Sequence, residues 1–325
     1  MNNFWKASPE VSEGLTRVQK RLRTELERLP TALKAPLRRL IDNPGKGLRP
    51  GLVFLAAASG EPRSSVDDLA AAAELLHLAS LIHDDIVDSA GLRRGQKALH
   101  RQVGVPSALL YGDLMFAACF RLVSTEVSRP SASALAAIVT LMAGSELLQQ
   151  QDLYRPHLSL RHVLRKTMGK TAALMSLCLY SGAVESGQDA PVCQIYRRVG
   201  YALGMAFQIR DDLLDFTSQE RLLGKPVFND LRHGVYSVPV VLALRREYQT
   251  GRNSLMRLLS SPAVNRPAVA HRAVALITAA GALTEAEQLV TLYTQRALHN
   301  LGALPIDPHR QVLHDLCQTL ADRPR

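Results

Sequence analysis

Glycine and proline divide the chain into segments whose apolar residues recur at helical spacing. The breaks include Asn43-Pro44-Gly45, Gly60-Glu61-Pro62, Ser128-Arg129-Pro130 and Ser186-Gly187. Strict alternation of apolar and polar residues, the pattern of a half-buried strand, is almost absent between them. Aromatic residues make up only 5% of the chain, and the helix formers alanine and leucine fill most apolar positions. We therefore predict an all-α protein.

Capping signals place the start of two helices. Residues 64–68, Ser-Ser-Val-Asp-Asp, combine serine caps with acidic residues, and predict a long helix that runs to about Asp88. Gly47 and Pro50 frame the start of another helix at about Leu48. No stretch has the composition of a linker and none repeats at a short period. A single helical domain is predicted.

Charge and cysteine content limit the class of protein. The single domain is predicted to span residues 1–325. The 325 residues carry a formal net charge of +10, which favours the binding of polyanions. No dense Lys/Arg run with interleaved aromatic residues supports nucleic-acid binding. The four scattered cysteines, the lack of a signal peptide and the lack of an uninterrupted apolar run of about 18 residues predict a soluble, cytoplasmic protein.

Two acidic motifs stand out, each inside an apolar helical segment. They are Asp84-Asp85-Ile86-Val87-Asp88 and Asp211-Asp212-Leu213-Leu214-Asp215. In each motif the first and last aspartates are four residues apart, so that they share one face of a helix. Extending these faces backward by helical steps reaches His77 in the first segment, and Gln208 and Gly204 in the second.

Clustered carboxylates of this kind predict a site for hard cations. They repel one another and resist ionising together unless a cation is present. Mg²⁺ prefers oxygen ligands and completes its shell with waters and substrate phosphates. Two acidic faces turned toward each other would form a clamp for metal ions and a diphosphate.

Cationic residues near these motifs are candidates for phosphate binding. Lys46 and Arg49 lie three residues apart at a predicted helix start, where the helix dipole also favours anions. Arg93 and Arg94 follow the first acidic motif, and arginine binds phosphate through two N–H groups at once. Each of these side chains, like His77, is also compatible with an ordinary surface or core role.

The motifs together resemble those of the trans-isoprenyl diphosphate synthases. Residues 74–95 are similar to the first aspartate-rich motif of that family, and residues 204–216 to the second. Further motifs follow in family order: 45–50, Gly112-Asp113, Glu146 with Gln149 and Asp152, Lys170-Thr171-Ala172, Gly224-Lys225-Pro226 and Asp230-Leu231. The similarity spans residues 45 to about 245. Residues 77–94 most resemble the catalytic subunit of two-component heptaprenyl diphosphate synthases.

The resemblance implies a role for each candidate residue. The residues implied to hold three magnesium ions on the allylic diphosphate are Asp84, Asp88 and Asp211. Those implied to orient ligands or waters are Asp85, Asp212 and Asp215. Contacts to the allylic substrate are implied for Arg93, Lys170, Thr171, Gln208 and Lys225. A catalytic role is also implied for Lys170 and Lys225. Contacts to isopentenyl diphosphate are implied for Lys46, Arg49, His77 and Arg94.

The resemblance also implies a fold, a reaction and partners. The fold would be one large helical bundle around a deep central cavity. The reaction would be the magnesium-dependent condensation of isopentenyl diphosphate with an allylic diphosphate to a linear polyprenyl diphosphate. The chain is expected to form a homodimer, or a heteromer with a small non-catalytic subunit. At most peripheral membrane contact is expected, for product release.

Two small residues before the first motif predict a long product, near heptaprenyl. Ala79 and Ser80 lie five and four residues before Asp84, where short-chain members of the family often carry aromatic side chains that block the growing chain. The alternatives are that these small residues only allow neighbouring helices to pack closely, and that the product is farnesyl or geranylgeranyl diphosphate.

Two departures from the family pattern leave the predicted metal ligands intact. Val235 follows Gly234 where many members have lysine, and Gly169 precedes Lys170 where a basic residue is common.

Two other classes of protein are less compatible with these motifs. A class I terpene cyclase shares the first motif but normally has an Asn/Ser/Glu motif in place of residues 211–215. A regulatory subunit would tend to lose one or both acidic motifs.

Overall fold

The structure, a computed structural model, describes most of the chain. The described residues are 5, 8–43, 45–217, 228–261 and 263–321, without the side chains of 229 and 321. The predicted substrate-binding residue Lys225, with its motif at 224–226, lies outside them.

The described residues form sixteen α-helices, one π-helical turn and two very short strands. The helices are α1 Pro9–Glu27, α2 Thr31–Ile41, α3 Leu48–Ala57, α4 Ser65–Val87, α5 Leu99–Val103, α6 Val105–Val123, α7 Arg129–Gln151, α8 Leu160–Thr167, α9 Ala173–Glu185, α10 Ala190–Thr217, α11 Asn229–Arg232, α12 Val238–Gln249, α13 Ser254–Leu259, α14 Pro267–Ala279, α15 Ala282–Leu301 and α16 Pro308–Ala321. The π-helical turn is Met168–Ala172, and the strands are β1 Leu92–Arg93 and β2 Gln96–Lys97.

The all-α prediction is confirmed, as are both predicted helix starts. α4 begins at Ser65 with Asp67 and Asp68 in its first turn, and α3 begins at Leu48 after Gly47 in the left-handed conformation. The antiparallel hairpin of β1 and β2 was not predicted. Its strands are two residues long, too short for an alternating pattern to appear in the sequence.

The chain divides into two compact units. The first contains Met1–Ala136, Leu177–Arg197 and Leu304–Leu313; the second contains Ala137–Ser176, Arg198–Ala303 and His314–Arg325. The expectation of a single domain over 1–325 stays a prediction.

In the first unit, α4 is buried along most of its length against α1, α3 and α6. Small residues allow this packing: a Cβ on Gly112 of α6 would lie 2.1 Å from Nε2 of His83 on α4. His83 Nε2 also lies 3.1 Å from the carbonyl oxygen of Leu109. α6 therefore holds the part of α4 that carries the first acidic motif.

The second unit has its own apolar core. Ile209 and Leu213 of α10 belong to it, together with residues from the π-helical turn and from α12 to α15. Tyr236 is buried there and donates a hydrogen bond from its hydroxyl to the carbonyl oxygen of Leu259, at 2.9 Å. This core fixes the buried side of α10, including Leu213 within the second acidic motif.

Two helices are more apolar on the outside than the sequence prediction allowed. By length and composition alone, α6 and α7 could each cross a membrane, and the bent pair α14–α15 could form a third span. Of the apolar windows in α6 and α7, only 33% and 17% are buried within the protein. The expectation that no apolar segment is long enough to cross a membrane is wrong. Isolated polar residues such as Asp113 interrupt the apolar runs of these helices, but their average composition is still apolar.

A buried carboxylate joins three helices of the first unit. Glu185, the last residue of α9, is fully buried. Its Oε2 accepts a hydrogen bond from the hydroxyl of Ser65, the first residue of α4, at 2.7 Å. Its Oε1 accepts from the backbone N–H of Ser128, just before α7, at 3.1 Å, and from the Ser128 hydroxyl at 2.5 Å. A negative charge at two helix N-termini is favourable because the helix dipoles are positive there.

The Glu185 carboxylate is expected to stabilise the folded protein in a pH-dependent way. Burial on its own raises the pKa of Glu185, but the hydrogen bonds from Ser128, Ser65 and Ser131 outweigh it, and the pKa lies below the ordinary value of a glutamate. The stabilisation is therefore present above the pKa of the unfolded chain and is lost as the pH falls through the folded-state pKa. We predict that Glu185→Gln lowers the free energy of unfolding at pH 7 by about 2 kcal/mol, as measured by urea denaturation.

The matched control is Glu61→Gln, which changes an exposed glutamate of the same unit. It is expected to alter the free energy of unfolding by less than about 0.5 kcal/mol. The gap between Glu185→Gln and the wild type should narrow as the pH falls through the lowered pKa of Glu185, where the wild-type carboxyl gains a proton. A gap that stays constant over the whole acid range in which the protein remains folded would contradict a role for the charge.

Candidate functional site

The first acidic motif occupies the last turn of α4. The helix ends because Ser89 adopts a φ of 51°, and two backbone bonds close the end: Ser89 N–H to Ile86 O at 3.1 Å and Ala90 N–H to Asp85 O at 2.9 Å. This is the Schellman arrangement, with serine in the place that glycine usually takes. Asp85 is buried and Asp88 is exposed. The carboxylates therefore cluster at the negative end of the helix dipole.

Arg93 binds the middle aspartate of this motif. Its Nε donates to Asp85 Oδ1 at 2.8 Å, and its Nη2 contacts the same oxygen. Arg93 reaches this position because it lies on β1, and the two-residue turn of Arg94 and Gly95 returns the chain along β2. Both turn residues have positive φ, 50° and 77°, as a type I′ turn requires.

His77 lies two helical turns before Asp84, and the charges of three arginines act on it. Burial holds the pKa of His77 well below its ordinary value. The guanidinium groups of Arg49, Arg94 and Arg93 lower it further. Burial raises the pKa of Glu74, one turn earlier, while Arg49 and Arg94 lower it. His77 is therefore a neutral imidazole at pH 7, able to donate or accept a hydrogen bond but adding no charge.

The predicted Lys46–Arg49 segment lies on a loop and at the start of α3. Gly45 and Gly47 have φ values of 66° and 60°, so the loop reverses on either side of Lys46. The Lys46 side chain is exposed. Arg94 Nη1 donates to the carbonyl oxygen of Asn43 at 2.6 Å, which holds the loop beside the turn of the hairpin.

The second acidic motif lies near the end of α10, again at the negative end of a helix. Asp211 and Asp215 are half-buried and Asp212 is buried. Asp212 Oδ1 accepts from Gln208 Nε2 at 3.1 Å, and its Oδ2 accepts from the backbone N–H of Val238 at 3.4 Å. Burial raises the pKa of Asp212 to about 7; the Gln208 bond opposes this, and the negative charges of Asp230 and Asp211 add to it.

A π-helical turn presents Lys170 and Thr171. The Thr171 hydroxyl donates to Gln208 Oε1 at 2.6 Å, which connects the turn to Asp212 through the Gln208 amide. Lys170 Nζ donates to Glu146 Oε2 at 3.0 Å. π-helical turns within α-helices frequently occur at functional sites. The structure therefore joins three of the predicted substrate-binding residues in the second unit.

The glycine at 169 has a steric cause. A Cβ at this position would lie 1.7 Å from the hydroxyl oxygen of Ser145 on α7, so a larger side chain could not occupy the same backbone position. The other departure lies beside Gly234, whose φ is 76° and where a Cβ would lie 2.6 Å from the ring of Tyr154. Tyr154 N–H donates to Gly234 O at 2.9 Å. Both departures accompany close backbone approaches.

The predicted chain-length residues lie on α4, about one turn before Asp84. Ala79 is fully buried. Ser80 is half-buried, and its hydroxyl donates to the carbonyl oxygen of His77 at 2.8 Å. The small side chain of Ala79 is enclosed by the packing of the first unit.

The donor set fits magnesium bound together with a phosphate ligand. Among the described residues, no group of three or more His, Cys, Asp or Glu side chains lies close enough together to hold a metal ion by itself. Mg²⁺ usually takes one or two carboxylates and completes its shell with water and phosphate oxygens. The carboxylates one turn apart in each motif meet that requirement without a cage of protein ligands.

Two contacts at the site were not anticipated from the sequence. The ion pair of Lys170 with Glu146 joins residues 24 positions apart, and only the family order of motifs had pointed to Glu146. Trp5 donates from Nε1 to the carbonyl oxygen of Lys46 at 2.8 Å. The signal that could have drawn attention to Trp5 is that it is the single tryptophan of the chain.

Comparisons with known proteins agree on one family. The family "Polyprenyl synthetase" matches residues 30–277. Heptaprenyl diphosphate synthase component 2 of Geobacillus stearothermophilus is 33% identical over 96% of this chain and 97% of its own. Other relatives include solanesyl and nonaprenyl diphosphate synthases.

Solved structures share the fold over nearly the whole chain. A polyprenyl synthase from Caulobacter crescentus CB15, complexed with calcium and isoprenyl diphosphate, matches with a TM-score of 0.89 and 31% identity over 99% of this chain and 98% of its own. A geranylgeranyl pyrophosphate synthase from Lactobacillus brevis matches with a TM-score of 0.88 and 30% identity over 99% of each chain. The predicted resemblance is confirmed: the chain belongs to the polyprenyl synthetase family and is an enzyme of the prenyltransferase class.

Proposed function

We propose that this enzyme condenses isopentenyl diphosphate with an allylic diphosphate, head to tail, to give a linear trans-polyprenyl diphosphate. The observation that carries the proposal is that each acidic motif ends a helix beside cationic groups of the same unit. Arg93 and Arg94 follow the first motif, and Lys170 lies on the turn hydrogen-bonded to Gln208 of α10. Carboxylates with adjacent cations suit a ligand that carries both metal ions and phosphates.

The allylic diphosphate is assigned to the acidic motifs. Asp84, Asp88 and Asp211 would bind three Mg²⁺ ions, which when bound supply positive charge to the diphosphate. Asp85, Asp212 and Asp215 would orient ligands or waters. The residues proposed to contact the allylic substrate directly are Arg93, Lys170, Thr171, Gln208 and Lys225.

The isopentenyl diphosphate is assigned to Lys46, Arg49, Arg94 and His77. The three cations offer charge-assisted hydrogen bonds to phosphate oxygens. His77, neutral at pH 7 because burial lowers its pKa, would donate one hydrogen bond. Because His77 is neutral, it adds no fourth positive charge to Lys46, Arg49 and Arg94 when no diphosphate is bound.

The reaction breaks one bond and forms another. The allylic C–O bond breaks and its electron pair leaves with the diphosphate, whose growing charge Lys170 and Arg93 stabilise. The double bond of isopentenyl diphosphate then forms the new C–C bond with the allylic cation. A proton leaves the adjacent carbon, and the departed diphosphate can accept it. No protein base is needed.

Removal of a metal ligand should abolish turnover and leave the fold intact. We predict that Asp84→Ala, Asp88→Ala and Asp211→Ala each lower kcat by at least about 100-fold, since each carboxylate matters most as the leaving diphosphate gains charge. The measurement is incorporation of labelled isopentenyl diphosphate, with circular dichroism to verify the helices. EDTA should abolish the activity and added Mg²⁺ should restore it.

Asp67→Ala is the matched control on the same helix. Asp67 lies in the first turn of α4 and pairs with Arg17 at the surface, so its loss should leave kcat within about twofold of the wild type. Near-normal activity in all three motif variants, or full activity in EDTA, would refute the proposed magnesium site.

We propose that the product is long, near heptaprenyl. The small side chains at Ala79 and Ser80 support this, as does the similarity to heptaprenyl, solanesyl and nonaprenyl diphosphate synthases. The alternative is a short product, favoured by the equally good match to a geranylgeranyl pyrophosphate synthase.

The position of Ala79 gives a direct test of chain length. We predict that Ala79→Phe shifts the product to farnesyl or geranylgeranyl diphosphate and preserves the first condensation, because an aromatic ring cannot fit a packed interior without displacing its neighbours. Chromatography of the dephosphorylated products measures this. Ser80→Phe tests the half-buried neighbour in the same way. A wild-type product distribution from both active variants would show that the growing chain does not pass these residues.

We propose that the enzyme works in the cytoplasm as a dimer of identical chains. Four buried free thiols support a reducing compartment. The dimer is supported by one face of α6, where Val105, Leu109 and Leu110 are 51%, 47% and 62% exposed. Exposed apolar residues at this spacing are typical of a surface that another polypeptide covers. A heteromer with a small non-catalytic subunit is the alternative.

Charge on this face should separate the subunits. We predict that the wild type has twice the mass of the 35.6 kDa chain by light scattering, and that Leu109→Glu with Leu110→Glu yields a helical monomer. The control is Ile306→Glu, at a single apolar residue that is 92% exposed, which should leave the mass unchanged. A monomeric wild type would refute the dimer. Long-chain synthesis by the purified chain alone would exclude the need for a small subunit.

A further inference from the structure

The loop that carries Lys46 is supported from the N-terminal side of the chain. Trp5 is almost completely buried. Its indole Nε1 donates to the carbonyl oxygen of Lys46 at 2.8 Å. The Trp5 carbonyl oxygen in turn accepts from Ser8 N–H and from the Ser12 hydroxyl, each at 3.0 Å. The first turn of α1 thus fixes Trp5, and Trp5 holds the backbone of Lys46.

The loop has an intrinsic need for such support. Lys46 lies between two glycines with positive φ, and glycine leaves the unfolded and folded backbone more freedom than any other residue. A cavity of about 270 Å³ adjoins the loop, lined by Trp5, Leu15, Lys46, Gly47, Pro50 and Glu74 among others. Packing on this side of the loop is therefore incomplete, and the directional bond from the indole restricts the backbone there.

Gly51 allows the indole to reach the loop. A Cβ on Gly51 would lie 2.3 Å from Cζ2 of Trp5, well inside van der Waals contact. The ring therefore lies directly against the backbone of α3, two residues after Arg49. Trp5 contacts both ends of the segment 46–51, which carries two of the three cations assigned to isopentenyl diphosphate, Lys46 and Arg49.

We infer that Trp5 is a positioning residue for isopentenyl diphosphate, acting through the backbone of Lys46 and the first turn of α3. The inference rests on the proposed function, in which Lys46 and Arg49 bind that substrate. Loss of the Trp5 side chain should weaken isopentenyl diphosphate binding and leave the allylic substrate unaffected.

The first test is Trp5→Phe, which keeps a ring and removes the N–H donor. The KM for isopentenyl diphosphate should rise by about fivefold, the usual effect of one hydrogen bond, while the KM for the allylic diphosphate and kcat stay within about twofold of the wild type. The control is Tyr196→Phe, which removes a partly buried hydrogen bond to Ser59 in the same unit and should change neither KM. Wild-type values of both KM in Trp5→Phe would overturn the inference.

Gly51→Ala separates positioning from general stability. Alanine in place of glycine normally stabilises a helix interior, so a merely structural role for this contact predicts no loss of substrate binding. Collision with Trp5 predicts a raised KM for isopentenyl diphosphate. In a Trp5→Ala background, Gly51→Ala should raise this KM no further, because the ring it displaces is gone. Additive effects of the two changes would contradict an action through Trp5.

The single tryptophan also reports on the loop directly. In the wild type, titration with isopentenyl diphosphate alone should change the intrinsic fluorescence, whereas the allylic diphosphate with Mg²⁺ should not. A fluorescence change on titration with the allylic diphosphate and Mg²⁺, in the absence of isopentenyl diphosphate, would overturn the inference. The proposed function fails separately, if the wild type makes no polyprenyl diphosphate from any allylic primer; the inference fails if the wild type is active and Trp5→Phe keeps both KM values.

Discussion

The crowding of carboxylates in the last turns of two helices is the constraint on which the site depends. α4 ends within its first motif, and α10 ends two residues after Asp215. The end of each helix adds about half a negative charge of its own. Aspartates so placed repel one another and the helix end, and nearby positive charge offsets this repulsion. In the proposed function, Mg²⁺ bound together with the diphosphate would add to that positive charge.

The two motifs are alike in sequence, but the middle aspartate of each is bound by a different kind of donor. Asp85 receives a guanidinium from Arg93, so a positive charge compensates it within the protein. Asp212 receives an amide N–H from Gln208 and a backbone N–H from Val238, neither of which carries a net charge. Burial then raises the pKa of Asp212 to about 7. The middle aspartate of the first motif is therefore paired with a charged group, whereas that of the second is held by uncharged donors.

Much of the molecule was predictable because its determinants are local. The helix starts at Leu48 and Ser65 follow from turn residues and from acidic residues in the first helical turn, although no side chain caps either helix, and the acidic faces follow from four-residue spacing. What could not be read was the reason for local departures. Gly169 looked like the loss of a basic residue, and its cause is Ser145 on the preceding long helix, which leaves no space for a side chain.

The sequence by itself determined which chemistry the chain can support, because residue type and helical spacing set which charges share a face. Tertiary structure alone decided which groups support one another. Trp5 reaches Lys46 across 41 positions, and Glu185 reaches Ser65 across 120. No periodicity encodes such pairs, since they depend on how whole helices pack. The residues assigned to the reaction are thus visible in the sequence, while the residues that hold them in place become visible only in the folded chain.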